Sequence, residues 1–470
     1  MNKVANKAII VSTVLAAILI ALVQDNPFFW DTLSQASRRS SWFFHEGFGT
    51  FLLPYEIDSG HPTGFNLYLA SIWSFFGRTL VVSHWAMLPI LIGIYYQIFR
   101  LVERYFSSSS TWLAFILIAT DVTLLAQATL VAPDLVLVLG YLSGIRGLVE
   151  QKKGWVIVGS ILLVSVSLRG IFGLAALGCT ALLFSGTGDR QWNLRNLVDL
   201  ALPFIPAFLV LIAFNGWHYA QTGWIFSTPN PAWAGHREVL GFSGIARNLA
   251  VLSWRLLDFG RWIYWLVFAV AMWFWWRSKW NYSKKELQLV IWPAVFLVVI
   301  STAMVLLSNP ITHRYLLPAL LGLNTLGAYL ILEKAPLNLR KWIFAIVLIS
   351  QLTGHLWIYP KHIAQAWDGS LAYLPYFQLR EDVIQFAQEQ DISLADIATE
   401  FPTIGPLDWH YLNNVNEGLI SRSEPSPYLF YATVMNDFSD EELAEMEHWT
   451  VVWKKEYMGH EAILYQRPQQ

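Results

Sequence analysis

The sequence predicts an all-α polytopic membrane protein of about eleven transmembrane helices, with a small α/β domain outside the cytoplasm at its carboxyl end. Three observations predict it. Of 470 residues, 55% are hydrophobic and 14% charged, against about 25% charged in soluble domains. Apolar runs near the ~20 residues needed to cross hydrocarbon recur from residue 8 to residue 358. The charge then changes sign: residues 360–470 hold 18 of the 33 acidic residues and 6 of the 31 basic ones. That shift divides the chain into a membrane part, 1–359, and a soluble part, 360–470.

Lys3 and Lys7 precede an apolar run at 8–23. No small-x-small cleavage site stands before Gln24, so the run reads as a retained signal anchor with its amino terminus in the cytoplasm. A first outer loop follows at 24–81. Within it Gly64–Phe76 is apolar but too short for a full span, and suits an in-plane or re-entrant helix. Further spans are expected at 82–102, 111–128, 134–149, 154–168, 171–184, 197–214, 262–276, 287–307, 315–332 and 342–358. A second large outer loop, 215–261, carries Trp217, Trp224, Trp233 and Trp254.

The loops test this order. Arg100 and Arg104, Arg146 with Lys152 and Lys153, Arg190 and Arg195, Arg277 with Lys279, Lys284 and Lys285, and Lys334 with Arg340 and Lys341 all fall on the side of Lys3 and Lys7. A shift of one span would put basic clusters on both faces. The expected location is the inner cell membrane, multi-pass, with the carboxyl-terminal domain extracytoplasmic. In that domain Leu379–Gln390 has helical periodicity, Ser439-x-x-Glu442 is a capping-box signal, and Tyr428–Met435, His448–Lys454 and Glu461–Gln466 read as strands. The single cysteine, Cys179, lies in an apolar run and excludes an intrachain disulfide.

Polar groups that hydrocarbon makes expensive are the functional candidates. The outer face carries arginines but almost no lysine before the tail, among them Arg38, Arg39, Arg78, Arg169, Arg237, Arg247, Arg255, Arg261 and Arg314. Arginine's forked donors suit bidentate contact with phosphate. Arg169 lies in a short turn between two spans and Arg314 at a span entrance, both at the depth of a lipid phosphate; snorkelling at the interface is the other reading. Asp31 follows Phe28, Phe29 and Trp30. Partial desolvation by those rings suits a general base, while its position equally suits a helix cap. Asp58 and His61 flank Gly60 in a turn closed by Pro62, as acceptor or divalent-metal contacts or as plain turn chemistry. Asp134 is an N-cap or part of an outer polar site. Asp121 lies deeper in a span, and His313 adjoins Arg314. No glycine-rich phosphate loop, Cys/His zinc set or Gly-x-Ser-x-Gly is present, so no nucleotide or nucleic acid partner is expected.

Four stretches carry a resemblance: Trp30-Asp31-Thr32 after the first span, Gly60-His61-Pro62-Thr63 leading to Phe76-Gly77, Pro133-Asp134, and Arg314-Tyr315-Leu316-Leu317-Pro318. With Arg169-Gly170, and in this order, they resemble the GT-C superfamily of integral-membrane glycosyltransferases. The nearest branch is family 39, the protein O-mannosyltransferases and lipid A aminoarabinose transferases. Thr63 departs from the family's second proline, and Asp31 stands alone where an Asp-Glu pair is common. The resemblance covers most of residues 1–330. It implies transfer of a sugar from a polyprenyl-phosphate carrier to a hydroxyl of a lipid, glycan or protein acceptor outside the cytoplasm. It implies Asp31 as base, Arg169, Arg314 and Tyr315 as holders of the donor phosphate, and Asp58, His61 and Asp134 as acceptor or metal contacts. The competing class is a flippase or transporter of an anionic lipid-linked substrate, using the same arginines.

Overall fold

The computed structural model describes residues 3–186, 193–225, 228–230, 234–278 and 283–468. Arg190, Trp233 and Lys279 of the expected loops lie outside the described residues.

Every segment expected to span is helical, from Lys3–Val23 to Leu337–Gly354. Length and apolarity are less uniform than the expected eleven spans. Five helical stretches are long and apolar enough to cross a membrane: Asn6–Val23, Leu80–Tyr105, Leu194–Thr222, Lys284–Leu306 and His313–Lys334; two bent pairs raise the figure to seven. The helices Asp134–Glu150, Lys153–Val166 and Gly170–Gly186 are shorter and pack as a tight group. Glycines permit this: a Cβ on Gly159 would stand 2.4 Å from the Gly140 carbonyl oxygen.

The expected span 111–128 is two helices, Thr111–Ala119 and Val122–Ala128, bent by 64°. Asp121 causes the break. Its carboxylate accepts the backbone N–H of Thr123 at 2.9 Å and of Leu124 at 3.0 Å, so it caps a new helix inside the span. The same carboxylate takes Asn324 Nδ2 at 2.9 Å and Arg261 Nη2 at 3.2 Å. The stretch 215–261, expected as a loop, carries the helix Phe242–Leu257, which meets the next helix at 88°. Gly64–Phe76 is a 13-residue helix, as its length predicts.

The tail folds as a six-stranded mixed sheet of order β2-β3-β1-β4-β6-β5, with β1 Ile397–Thr399, β2 Gly405–Pro406, β3 Gly418–Ser421, β4 Tyr428–Ala432, β5 Thr450–Tyr457 and β6 His460–Gln466. The three short strands β1 to β3 go beyond the sequence expectation, and β5 runs later than the expected 448–454. Met458 and Gly459, both at positive φ, form the two-residue turn that joins β5 to β6. The helix Pro375–Glu389 and the capped helix Asp440–Met446 complete the domain.

The tail rests directly on the first outer loop. The Phe28 N–H donates to the His410 carbonyl at 2.9 Å, the Arg38 guanidinium lies 3.9 Å from the Trp409 ring centre, and Arg78 pairs with Asp408 at 2.5 Å. The connector between the two parts also docks inward. Gln127 Nε2 donates to the Asp368 carbonyl at 2.9 Å and Thr123 Oγ1 to the Gly369 carbonyl at 3.0 Å. The broken helix thus seats the start of the tail beside Arg314, at the start of the helix His313–Tyr329.

Candidate active site

Asp31 is delivered to the site by its neighbours. Phe29 stacks on Tyr373 at 4.5 Å and Trp30 packs edge-on against Phe401 at 4.8 Å. Trp30 sits at φ +55°, a left-handed conformation that costs a bulky residue energy and is found where function constrains the chain. A wide π-turn, Leu33–Arg38, follows, another feature frequent at functional positions. The Thr32 hydroxyl closes the local turn instead, donating to the Phe29 carbonyl at 2.6 Å and accepting the Phe29 N–H at 3.0 Å. The Asp31 carboxylate is left to reach Arg314.

Arg314, in the first turn of His313–Tyr329, is the centre of the cluster. Its Nη2 donates to Asp31 Oδ2 and to Tyr315 Oη, its Nη1 donates to Asp368 Oδ2, and its Nε pairs with Asp134 Oδ2 at 3.1 Å. Arg169 joins through Asp134, Nη2 to Oδ1 at 2.8 Å. Both guanidiniums lie over the Tyr315 ring, at 3.9 Å for Arg169 and 4.9 Å for Arg314. Asp134, Arg169, Arg314 and Tyr315 line one crevice of about 20 Å³, walled on its apolar side by Leu163, Phe296 and Ile300. That volume holds about one water, so a phosphate enters only as side chains move.

The cluster sets three carboxylates, Asp31, Asp134 and Asp368, against two guanidiniums. Burial raises the proton affinity of Asp368; Arg314 opposes this, Asp31 and Asp134 add to it, and the net direction is upward. Its Oδ1 is buried without a hydrogen-bond partner among the described residues. Asp368 was not singled out in the sequence, where it is one of many tail acids. Its only local mark is the following Gly369, where a Cβ would come within 2.7 Å of His313 Nδ1.

The two residues of the Gly60 turn diverge. Asp58 turns to His218 Nε2 at 2.8 Å and also accepts the Gly60 N–H at 2.7 Å. His61 accepts the Leu168 N–H on Nδ1 at 3.3 Å and so braces the Arg169 turn. Burial holds the His61 imidazole well below its ordinary value, and the charges of Arg39, Arg169 and Arg237 push it the same way, so the ring is neutral and free to accept. Among the described residues no three His, Cys, Asp or Glu side chains gather as a metal-holding group.

Most other outer-face arginines are committed elsewhere. Arg39 donates to the Ile57 carbonyl at 3.0 Å and Ser59 Oγ at 2.6 Å, Arg78 holds Asp408, and Arg261 holds Asp121. His313 is no loop residue: it starts the Arg314 helix, buried, with Nε2 2.6 Å from Asp258 Oδ1. Tyr359 donates to the other oxygen of Asp258. That trio anchors the helix start that carries Arg314.

Fold and site together define a membrane protein of many apolar helices in which two arginines and an exposed-side aspartate meet under a docked soluble domain. Two crystal structures of ArnT from Cupriavidus metallidurans share the fold. The one bound to undecaprenyl phosphate aligns at TM-score 0.58 and 11% identity over 97% of each chain; the apo state aligns at 0.56 and 12% over 98% of each. The arabinofuranosyltransferase AftD from Mycobacteria aligns at 0.43 and 12% identity, over 97% of this chain and 39% of its own. No family model and no curated protein matches the sequence. The chain has the fold of the two ArnT structures over nearly its whole length.

Proposed function

We propose that the protein transfers a sugar from a polyprenyl-phosphate carrier to an acceptor hydroxyl on the outer face of the membrane. The observation that carries this reading is the meeting of Arg169, Arg314 and Tyr315 at one crevice between helices, with Asp31 paired to Arg314 beside it. The ArnT likeness supports it, since one of the two structures is bound to undecaprenyl phosphate.

In this reading Arg169, Arg314 and the Tyr315 hydroxyl hold the donor phosphate. Asp31 takes the proton from the acceptor hydroxyl as its oxygen attacks the anomeric carbon. The bond from that carbon to the phosphate oxygen breaks, and the electron pair leaves on the phosphate beside the two guanidiniums. Fixed charges in a water-poor site supply a large share of such a barrier reduction. Attack opposite the leaving phosphate inverts the anomeric centre. Asp134 orients both arginines. His61 stands behind the turn that presents Arg169, Asp58 pairs with His218, and both are second-rank contacts for an acceptor or a metal.

The experiment assays release of sugar from a polyprenyl-phosphate sugar by the purified protein in detergent. Asp31→Asn and Arg314→Ala are each expected to lower turnover by at least about 100-fold. Normal turnover by Asp31→Asn removes it as base. Movement of lipid between leaflets with no sugar consumed replaces the transfer reading with the flippase one.

A further inference from the structure

We propose that the opposite end of the helix group from Arg314 holds a second, separate site that takes the phosphoryl group of an anionic ligand. A cavity of about 750 Å³ opens there, within the size range of small-molecule sites. It is walled by the far ends of the same four helices that wall the Arg314 crevice. Leu163, Gly173, Val138 and Ile300 face the crevice, and Val156, Phe184, Leu148 and Gln288 on those helices face the cavity. Lys284 and Ile300 lie ~24 Å apart on one helix, at ~1.5 Å per residue.

The cavity sets Arg104, Lys153, Lys284 and Lys285 against one carboxylate, Asp199. Lys153 answers Asp199 at 3.8 Å. Among the described residues the other three cations have no ion-pair partner. The acids whose charge reaches Lys285, Glu333 and Glu286, are already engaged. Glu286 caps its own helix at Ser283 and pairs with Lys334 at 2.5 Å. Glu333 accepts the Ser107 N–H at 2.9 Å and its hydroxyl at 2.8 Å. The arginines around the crevice, by contrast, are met by carboxylates.

Three cations without an ion-pair partner among the described residues, set around a concavity, focus positive potential where an anion gains most. Compact ammonium groups suit a phosphoryl group held as a charge rather than clamped in a fork. The walls are apolar in part as well, with Leu148, Val149, Val156 and Leu200 lining the cavity. Anionic head group and apolar walls together favour a phospholipid of the leaflet opposite the crevice; a soluble phosphate shares the same chemistry. This inference does not depend on the transfer reaction.

The test titrates the full-length protein in detergent separately with phosphatidylglycerol, phosphatidylcholine and inorganic phosphate, read by native mass spectrometry. The protein is expected to prefer phosphatidylglycerol to phosphatidylcholine, and Arg104→Gln/Lys284→Gln/Lys285→Gln to lose that preference by about tenfold or more. The same loss seen with inorganic phosphate and not with the lipid assigns the pocket to a soluble phosphate. Equal binding of both by the variant and the wild type overturns the proposal. So does loss of the lipid preference in Arg314→Ala, which would place the lipid at the crevice. Lys284 is exposed, so Lys284→Glu alone carries the same test without risk to the core, and is expected to weaken lipid binding at least as much as removal of its charge.

Discussion

At the scale of single residues, the Arg314 site is occupied by its own carboxylates. Nη1, Nη2 and Nε each face one, and a carboxylate held by a guanidinium is a poor base. A donor phosphate therefore gains Arg314 by exchange. The partner free to leave is Asp31, whose side chain is 39% exposed against 11% for Asp134 and 3% for Asp368. Exchange would bind the donor and release the base in one event. Asp31→Asn then has opposite effects on two measurements. Affinity for polyprenyl phosphate, titrated without acceptor, rises by about tenfold (~1.4 kcal/mol) because a neutral amide competes less for Arg314. Turnover falls. Unchanged or weaker carrier binding would count against the exchange, whatever turnover does.

Part of this cluster could be read before folding. Asp31, Asp134, Arg169, Arg314 and Tyr315 each lie where alternating topology puts a chain on the outer face, and charge there needs a reason. Their roles in transfer are a proposal, but their proximity is geometric. Asp368 carried no such signal. It becomes notable only because the connector folds back on Gln127 and Thr123.

At the scale of the element, the turn Ser167–Gly170 governs where Arg169 points. The Gly170 N–H donates to the Ser167 carbonyl at 2.9 Å, and a Cβ on Gly170 would stand 1.6 Å from the Leu163 carbonyl oxygen. No rotamer relieves a clash with backbone. Gly170→Ala is expected to force the two helices apart, lower stability by about 1–3 kcal/mol and weaken carrier binding. Thermal unfolding and carrier titration in detergent check both; a variant with wild-type values in each shows that the turn relaxes freely. Helices as elements were legible because a lipid-facing surface demands apolar runs. The break at Asp121 was not, because a capping aspartate and a buried ion-pair aspartate look alike until Arg261 and Asn324 arrive from distant parts of the chain. The helix Phe242–Leu257 was hidden for a related reason: its polar groups resemble those of a loop, and its partners, Lys284–Leu306, Ile311 and Tyr359, come from distant parts of the chain.

At the scale of the whole molecule, the carboxyl-terminal sheet domain is held to the stretch 24–81 by charge as well as by rings. Arg78 and Asp408 form a largely buried pair. Burial alone would raise the Asp408 carboxyl, but hydrogen bonds from Arg78 and the Asn414 N–H, with the charges of Arg78 and His45, bring it below its ordinary 3.8. A carboxyl depressed by folding adds stability above its unfolded value and loses it as pH falls through the folded one. Docking is therefore expected to weaken below about pH 4. Arg78→Met should lower the unfolding midpoint at neutral pH, and Asp408→Asn should flatten the acid dependence in that window. An acid profile identical in Asp408→Asn and wild type would assign the loss to other groups.

The same docking has a consequence for how the protein is made. Asp368 follows the last apolar helix, so during synthesis Arg314 reaches its membrane position before that carboxylate exists. The charge cluster closes only once the connector has been translated and seated on the broken helix. Until then a nascent chain has the two guanidiniums but not their full set of counter-charges, and no docked domain to keep water away. Assembly of the cluster thereby waits for the connector, which is made only after every apolar helix.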